Sequence, residues 1–200
     1  MEEQNSSAEE EIKAPRSSWK SSTAEVVRLL VIWIAISFVI RYFIAQPFIV
    51  RGASMEPNYQ DQQYLVIDEL SYYLRIPKRG EVVVFHYPKN PTQYFIKRIV
   101  GLPGETIKIE NGTVHIINAQ YPDGFLFEEP YLAQQSRITR PDSTITLKSS
   151  EYFVLGDNRD FSSDSRAWGP LDKDYLVGRV LLRAWPPSKF GFVPSNSVEY

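Results

Sequence analysis

The longest apolar stretch of this chain lies near its N-terminus. Residues 26–45 are apolar except for Ser37 and one arginine near each end, Arg28 and Arg41. Twenty helical residues rise about 30 Å, which matches the hydrocarbon core of a bilayer. Arginines near helix ends can extend their long side chains to the lipid headgroups. The pattern therefore predicts a single N-terminal transmembrane helix over residues 25–46.

Two other structures share this pattern. A cleaved signal peptide has an apolar segment of similar length, although about 25 residues precede the run here and such leaders are normally short. A buried helix of a soluble protein is the second alternative. Residues 1–24 are polar and aperiodic, which predicts a disordered tail. Basic residues are more numerous before the run than just after it. This bias predicts a cytoplasmic tail and a body on the outer face of the membrane.

After Pro47 the pattern changes to that of short strands separated by turns. Strands are predicted at residues 48–50, 64–67, 81–87, 94–100, 151–155 and 177–185. The clearest local prediction is a hairpin at Thr106–Ile117, because Asn111 and Gly112 suit a two-residue turn with positive φ angles. Residues 47–200 are therefore predicted to form a mainly β, antiparallel domain. A smaller, loop-rich β lobe is predicted to be inserted at residues 106–150.

The amino-acid composition excludes several functional classes. The formal net charge is -2, and no clustered basic stretch suggests a nucleic-acid-binding face. The chain has no cysteine, so disulfides, thiol nucleophiles and zinc-thiolate sites are excluded. Nucleic acid is therefore not an expected partner.

The histidines and acidic residues do not form a recognisable catalytic pattern. His86 and His115 both fall within predicted strands and no GxSxG elbow is present, so neither a Ser-His-Asp triad nor a histidine metal site is predicted. Gly156–Asp160 with Asp164 fails the calcium-loop pattern, since Arg159 occupies a ligand position. A glycosidase carboxylate pair stays open, but Asp and Asn beside Ser and Gly more often form turns.

Ser54 and Lys97 offer a different chemistry. Ser54 follows an apolar strand and stands among small residues that permit a tight backbone. Alternation places Lys97 on the strand face of Phe95 and Ile99, where desolvation would disfavour the ammonium and lower the lysine pKa. A serine with a lysine base is a known nucleophile–base pair. From spacing alone, a turn serine and a surface lysine that reaches into water remain the alternatives.

Three segments, in this order, resemble the sequence boxes of bacterial type I signal peptidases: Ser54–Pro57, Tyr94–Gly104 and Gly156–Arg166. Trp168–Pro170 and Val177–Arg179 continue the last box, and the N-terminal apolar run also matches that family. The resemblance implies an all-β catalytic domain, with a smaller β lobe, on the outer face of the cell membrane. It implies a serine endopeptidase that removes signal peptides without cofactor or metal. The implied partners are exported preproteins and the lipid bilayer.

The same resemblance implies roles for individual residues. Ser54 would be the nucleophile, and Lys97 the general base that later protonates the leaving amine. Ser162 matches the serine that orients the lysine ammonium. Three further residues are expected to support the site: Asp164, Arg166 and Arg98.

The implied substrate carries small residues before the cut, of the Ala-x-Ala type. The candidates for shallow pockets that accept them are, by position, Val50, Tyr59 and Ile96. Two departures from the family pattern affect the details. Gly52 stands where many members have a serine that helps to hold the oxyanion, so the second oxyanion donor is open. Asn58 and Phe161 stand where Thr and Asn are usual.

Two rival functions remain at this point. Self-cleaving repressors of the DNA-damage response also use a serine and a lysine, but they carry a DNA-binding domain in place of an anchor. A catalytically silent, membrane-tethered β domain that binds export partners is the other, and it would make Ser54 and Lys97 incidental.

Overall fold

A computed structural model of the chain describes residues 19–39, 46–134 and 138–193. The chain divides into two compact units, Met1–Val39 and Ile40–Tyr200. In the first unit, Trp19–Val39 form the helix α1. None of the helices in the described residues combines the length and the apolar character needed to cross a membrane.

The helix begins earlier than the sequence pattern predicts. Residues 19–24 form the first turns of α1, so the disorder predicted for residues 1–24 is wrong for this part. Once a helix is nucleated, each added residue contributes one hydrogen bond, and no proline occurs between Pro15 and Pro47 to interrupt it. Residues 1–18 of the predicted tail and residues 40–45 of the predicted anchor lie outside the described residues.

The second unit is built from short strands and very short helices. The described strands are β1 (Gln46–Ile49), β2 (Tyr64–Asp68), β3 (Val82–Tyr87), β4 (Asn90–Gly101), β5 (Thr106–Glu110), β6 (Thr113–Ile117), β7 (Phe125–Leu126), β8 (Ser143–Thr146), β9 (Glu151–Leu155), β10 (Leu171–Asp172), β11 (Leu176–Trp185) and β12 (Gly191–Phe192). The helices are α2 (Ser71–Leu74) and α3 (Ser165–Trp168), with single 3-10 turns at Arg159–Phe161, Lys173–Tyr175 and Pro187–Lys189.

These strands form two antiparallel sheets. The larger sheet has the order β1-β2-β11-β3-β4-β9-β10, with β12 also paired to β11, and the smaller has the order β7-β6-β5-β8. Every strand pair in the described residues is antiparallel. The predicted mainly antiparallel β body is therefore confirmed.

The predicted hairpin is also confirmed. In β5 and β6, Ile107 lies opposite Ile116 and Ile109 lies opposite Val114. The connecting residues Asn111 and Gly112 have φ angles of 52° and 81°. The apolar face of this hairpin packs against buried residues of the larger sheet, namely Val100, Phe153 and Leu155. The two sheets thus share one hydrophobic cluster.

Candidate active site

Ser54 lies in a tight turn that follows β1. The amide of Val50 donates to the carbonyl of Gln63 at 2.9 Å, and the amide of Tyr59 donates to the carbonyl of Met55 at 2.8 Å. Met55 is fully buried and anchors the turn in the core. Ser54 itself is only half-buried. The buried residues Val50 and Met55 therefore hold the turn in place, while Ser54 remains partly accessible.

Gly52 enters this turn with a φ angle of 86°, a region that side chains with a Cβ rarely adopt. Its amide donates to Asp61 Oδ1 at 2.8 Å. This hydrogen bond fixes the backbone before Ser54, and it engages an amide that could otherwise face a developing oxyanion. A Cβ at position 52 would meet no atom within 4 Å, so the strain of a side chain there would be conformational.

Lys97 reaches Ser54 from the strand β4. Its backbone lies opposite Val83 of β3, and its side chain is buried, with only 3% of the residue exposed. Lys97 Nζ lies 2.8 Å from Ser54 Oγ and 2.7 Å from the carbonyl oxygen of Ile96. Both distances are within hydrogen-bonding range. The structure thus brings together two side chains that are 43 positions apart in the sequence.

The surroundings of Lys97 favour its neutral form. Burial lowers the pKa of Lys97 from its usual 10.5 to about 8, although the nearby carboxylates of Asp164 and Asp157 act in the opposite direction. With that pKa, roughly one amine in ten is neutral at pH 7, compared with about one in 2,500 for an ordinary lysine. The position therefore supplies an amine that can accept a proton near neutral pH.

The loop Gly156–Asn158, after β9, holds the serine turn from the other side. The amide of Asn158 donates to the carbonyl of Ser54 at 3.0 Å, and its side-chain Nδ2 donates to the carbonyl of Ala53 at 3.1 Å. Gly156 permits this approach, since a Cβ there would lie 2.5 Å from both Ser54 O and Ser162 Cβ. The loop and the serine turn therefore fit together only with glycine at position 156.

Arg98, adjacent to the lysine, pairs with the centre of this loop. Its guanidinium donates to both carboxylate oxygens of Asp157, at 2.8 and 2.6 Å, and to the carbonyl of Gly80 at 2.8 Å. Asn58 Nδ2 donates to the same carboxylate at 2.8 Å and to the carbonyl of Tyr131 at 2.9 Å. Arg98 is thus fully engaged in structural contacts, and Asn58 connects the serine turn to two other segments.

Asp164 and Arg166 form a second ion pair near the site. Arg166 Nε and Nη2 each lie 2.8 Å from a carboxylate oxygen of Asp164, which also accepts the amide of Gly156 at 3.0 Å. Burial acts to raise the pKa of Asp164, but the hydrogen bonds and charge of Arg166 outweigh it and the pKa lies below its usual value. Asp164 is therefore a buried anion, and its hydrogen bond with the Gly156 amide holds the first residue of the loop in place.

Ser162 packs directly against Gly156. Its Oγ is buried and lies close enough to Asp164 to favour the ionised carboxylate, but it makes no well-formed hydrogen bond with any residue that the structure describes. A buried hydroxyl in this state has hydrogen-bonding capacity left for another group.

A cleft of about 710 Å³ opens beside Ser54 and Lys97. Its walls come mainly from β1 and β4 and include two of the three proposed pocket residues, Val50 and Ile96. Tyr59 does not line this cleft. It is buried in the core, its ring 5.2 Å below the guanidinium of Arg183, and burial raises its pKa to about 12. The turn that starts at Met55 directs the Tyr59 ring into the core, so the position of Tyr59 in the sequence did not predict its orientation.

The two histidines make ordinary polar contacts, as the sequence predicts. His86 Nδ1 lies 2.7 Å from the carbonyl of Pro91, and His115 Nε2 lies 3.0 Å from Thr113 Oγ1.

The sequence reasoning missed four residues that build the site: Asn58, Gly156, Asp157 and Asn158. Three of them open the third box, so the resemblance already pointed to the right segment. Their contacts could not be read from it, because Asn58 and Asp157 are 99 positions apart and meet only after folding.

Comparison with known proteins adds an independent observation. A profile of one protein family, described as signal peptidase, peptidase S26, matches residues 23–185. The chain is similar to probable signal peptidase I-1 of Synechocystis sp., with 32% identity over 187 residues that cover 87% of this chain and 91% of that protein. It is also similar to signal peptidase IB of Staphylococcus aureus (strain MRSA252), with 35% identity over 190 residues that cover 84% of this chain and 95% of that protein. A crystal structure of a signal peptidase I from Enterococcus faecalis V583 matches with 32% identity and a TM-score of 0.46, covering 53% of this chain and 97% of that chain.

Proposed function

We propose that Ser54 is the nucleophile and Lys97 the general base of this chain, which belongs to the signal peptidase (peptidase S26) family and is therefore a serine endopeptidase that removes signal peptides from exported proteins. The observation that carries this assignment is the 2.8 Å distance between Lys97 Nζ and Ser54 Oγ, with the amine buried and its pKa lowered to about 8. A nucleophile and base within hydrogen-bonding reach are the required geometry for covalent catalysis.

In the first half of the reaction, neutral Lys97 Nζ accepts the proton of the Ser54 hydroxyl as Oγ attacks the scissile carbonyl carbon. An Oγ–C bond forms and the carbonyl becomes an oxyanion. The intermediate then collapses, the C–N bond breaks, and the Lys97 ammonium gives its proton to the leaving amine. The carbonyl of Ile96, 2.7 Å from Nζ, orients the amine by accepting one of its hydrogens and leaves the lone pair for the serine.

In the second half, Lys97 is neutral again and takes a proton from a water molecule that attacks the acyl ester. Oγ leaves and recovers its proton from Lys97, which releases the new carboxyl group. The backbone amide of Ser54 is assigned as the first oxyanion donor. Gly52 has no side-chain donor, and its amide is hydrogen-bonded to Asp61. The second oxyanion donor therefore comes from another residue on the substrate-facing side of the cleft. The unsatisfied hydroxyl of Ser162 is assigned to hold the Lys97 ammonium between the two steps.

The cleft suits an extended peptide. Among the described strands, β1 is the outermost of its sheet, and residues 94–97 of β4 pair with β3 on one side only, since β9 pairs with β4 from Arg98 onward. Free backbone groups on both walls can therefore form β-type hydrogen bonds with a substrate strand. Val50 and Ile96 line the cleft beside Ser54, and we assign them to shallow pockets that favour small residues before the cut, of the Ala-x-Ala type.

The rate of cleavage should depend on pH through Lys97. For a preprotein with alanine at positions -1 and -3, we expect kcat/KM to fall about tenfold for each pH unit below 8, because the base must be neutral. Measurement from pH 5 to 10, with the same preprotein carrying phenylalanine at -1 as a poor-substrate control, tests both the base and the pockets. A rate that appears only near pH 10 would exclude a tuned Lys97. No cleavage at any pH would favour the silent, tethered β domain.

We also propose that residues 25–46 anchor the enzyme in the cell membrane, with residues 1–24 in the cytoplasm and the β domain on the outer face. Two observations support contact with lipid. Residues 26–36 of α1 expose most of their large apolar side chains, among them Trp33 at 71%. In the β domain, Ile49, Tyr64 and Trp185 are cross-strand neighbours on β1, β2 and β11, and all three are exposed. Contiguous exposed apolar surface is typical of a membrane contact.

The full chain should therefore stay in the membrane pellet after extraction at alkaline pH. A chain that begins at Gln46 is the matched control, and we expect it to be released because it lacks the anchor. Protease added outside spheroplasts should degrade the β domain of the full chain. Release of the full chain by carbonate, or protection from external protease, would contradict the anchor or its orientation.

A further inference from the structure

A buried ion pair connects the smaller sheet region to the loop that holds Ser54. Arg159 Nε donates to the carbonyl of Gly156 at 3.0 Å, and its Nη1 donates to Glu129 Oε2 at 2.9 Å and to Thr139 Oγ1. Its Nη2 forms a further short bond to Glu129 Oε1. The two side chains are only 1% and 9% exposed. Each of the three guanidinium nitrogens thus binds either the loop or a residue between β7 and β8.

A second set of contacts joins the same carboxylate to the serine turn. Tyr131 OH donates to Glu129 Oε1 at 2.5 Å. The guanidinium of Arg98 lies 4.0 Å above the Tyr131 ring, and the Tyr131 carbonyl accepts a hydrogen bond from Asn58. Glu129 therefore contacts Arg159, which binds the Gly156 carbonyl, and Tyr131, which contacts Arg98 and Asn58. In the described contacts Glu129 touches neither Ser54 nor Lys97.

We propose that Glu129 is a positioning residue, which acts through Arg159 on the loop Gly156–Asn158 and so keeps Ser54 aligned with Lys97. This inference rests on the proposed function of those two residues. Glu129 belongs to no box of the sequence resemblance, and its segment showed no periodicity from which a role could be read.

The physical reason lies in the cost of an unpaired buried charge. Without the Glu129 carboxylate, the Arg159 guanidinium would be left without its counter-ion in the interior, so the side chain must turn toward water. It would then release the Gly156 carbonyl. The loop carries the two hydrogen bonds from Asn158 to Ser54 O and Ala53 O, and a shift of about 1 Å in a reacting group can reduce the rate ~100-fold. The same shift would admit water to Lys97.

Three variants test the proposal: Glu129→Ala, Glu129→Gln and the control Glu110→Gln, which lies in the same sheet region with its side chain 47% exposed and paired to Lys108. For Glu129→Ala we expect kcat to fall ~10- to 100-fold with KM changed less than about twofold, because the cleft walls are untouched. Glu129→Gln keeps the shape and one acceptor, so it should recover part of the loss. The acidic limb of the pH profile should move above pH 8 in Glu129→Ala as Lys97 becomes hydrated.

Hydrogen exchange gives a readout that does not need activity. We expect the amide of Asn158 to exchange faster in both Glu129 variants than in Glu110→Gln, while amides of β3 and β9 stay protected. A folded Glu129→Ala protein with the original kcat, pH limb and exchange rate would overturn the proposal. So would a uniform loss of protection across the domain, which would make Glu129 a general stability residue. If the unmodified enzyme shows no Ser54-dependent cleavage but the Asn158 amide still exchanges faster in the Glu129 variants, the proposed function is wrong. The structural coupling of Glu129 to the loop through Arg159 would then still hold.

Discussion

Replacing Lys97 by methionine is expected to abolish signal peptide cleavage and, at the same time, to stabilise the folded protein at pH 7. The loss of activity follows from the loss of the base, and removal of one member of such a catalytic group typically lowers kcat by ~10⁴-fold or more. The gain in stability follows from burial. The ammonium of Lys97 is charged below pH 8 although its surroundings disfavour the charge. Methionine has a similar length and no charge to desolvate.

The size and pH dependence of the gain follow from the pKa. A decrease from 10.5 to about 8 corresponds to roughly 3 kcal/mol in the free energy of unfolding. Between these two pH values the unfolded chain binds a proton that the folded chain has released, so the original protein becomes more stable as pH rises. The advantage of Lys97→Met should therefore be complete below pH 8 and should vanish above pH 10.5.

Denaturant unfolding at pH 7 and pH 10.5, combined with a cleavage assay, measures both effects. Ser54→Ala is the matched control, because it should lose cleavage to a similar extent while the buried amine and its cost remain. Equal stability of Lys97→Met and the original protein at pH 7 would show that the amine is hydrated. Substantial cleavage by either variant would remove that residue from the mechanism.

Replacing Gly156 by alanine should disrupt the site through a single methyl group. The added Cβ would lie 2.5 Å from both Ser54 O and Ser162 Cβ, distances that real Cβ contacts do not reach. Either the serine turn or Ser162 must move. Overpacking of this kind costs about 1–3 kcal/mol in stability. Because the displaced atoms belong either to the nucleophile's own residue or to the serine assigned to hold the Lys97 ammonium, we expect kcat to fall at least ~100-fold.

Gly191→Ala is the control for this substitution. A Cβ at Gly191 in β12 meets no atom of the described residues within 4 Å, and its φ angle is not in the left-handed region, so stability and activity should be unchanged. Comparing the two variants separates the general effect of replacing a glycine from the effect of the steric clash at position 156. A Gly156→Ala protein that cleaves at the original rate would mean that Ser54 and the loop are not packed as described.

The family and most of the longer strands could be predicted from the sequence. Alternation of apolar residues located the strands that pack one face in a core, and Asn111-Gly112 specified the hairpin through its backbone preference alone, which together accounts for eight of the twelve described strands. The prediction missed β7, β8, β10 and β12, which have two to four residues each. The start of α1 was placed too late. Apolar content marks where a helix is buried or meets lipid, whereas its end depends on capping and on backbone propagation.

The sequence by itself determined the chemistry on offer: a serine among small residues, a lysine within an apolar strand, and neither cysteine nor a histidine suited to replace them. Only the tertiary structure decided that Ser54 and Lys97 meet at 2.8 Å, that Tyr59 faces the core, and that Asn58, Asp157 and Glu129 support the site from distant segments. Local propensities act over a few residues. Contacts across 43 or 99 positions, and the loss of water that tunes an amine, arise only when strands from separate parts of the chain pack together.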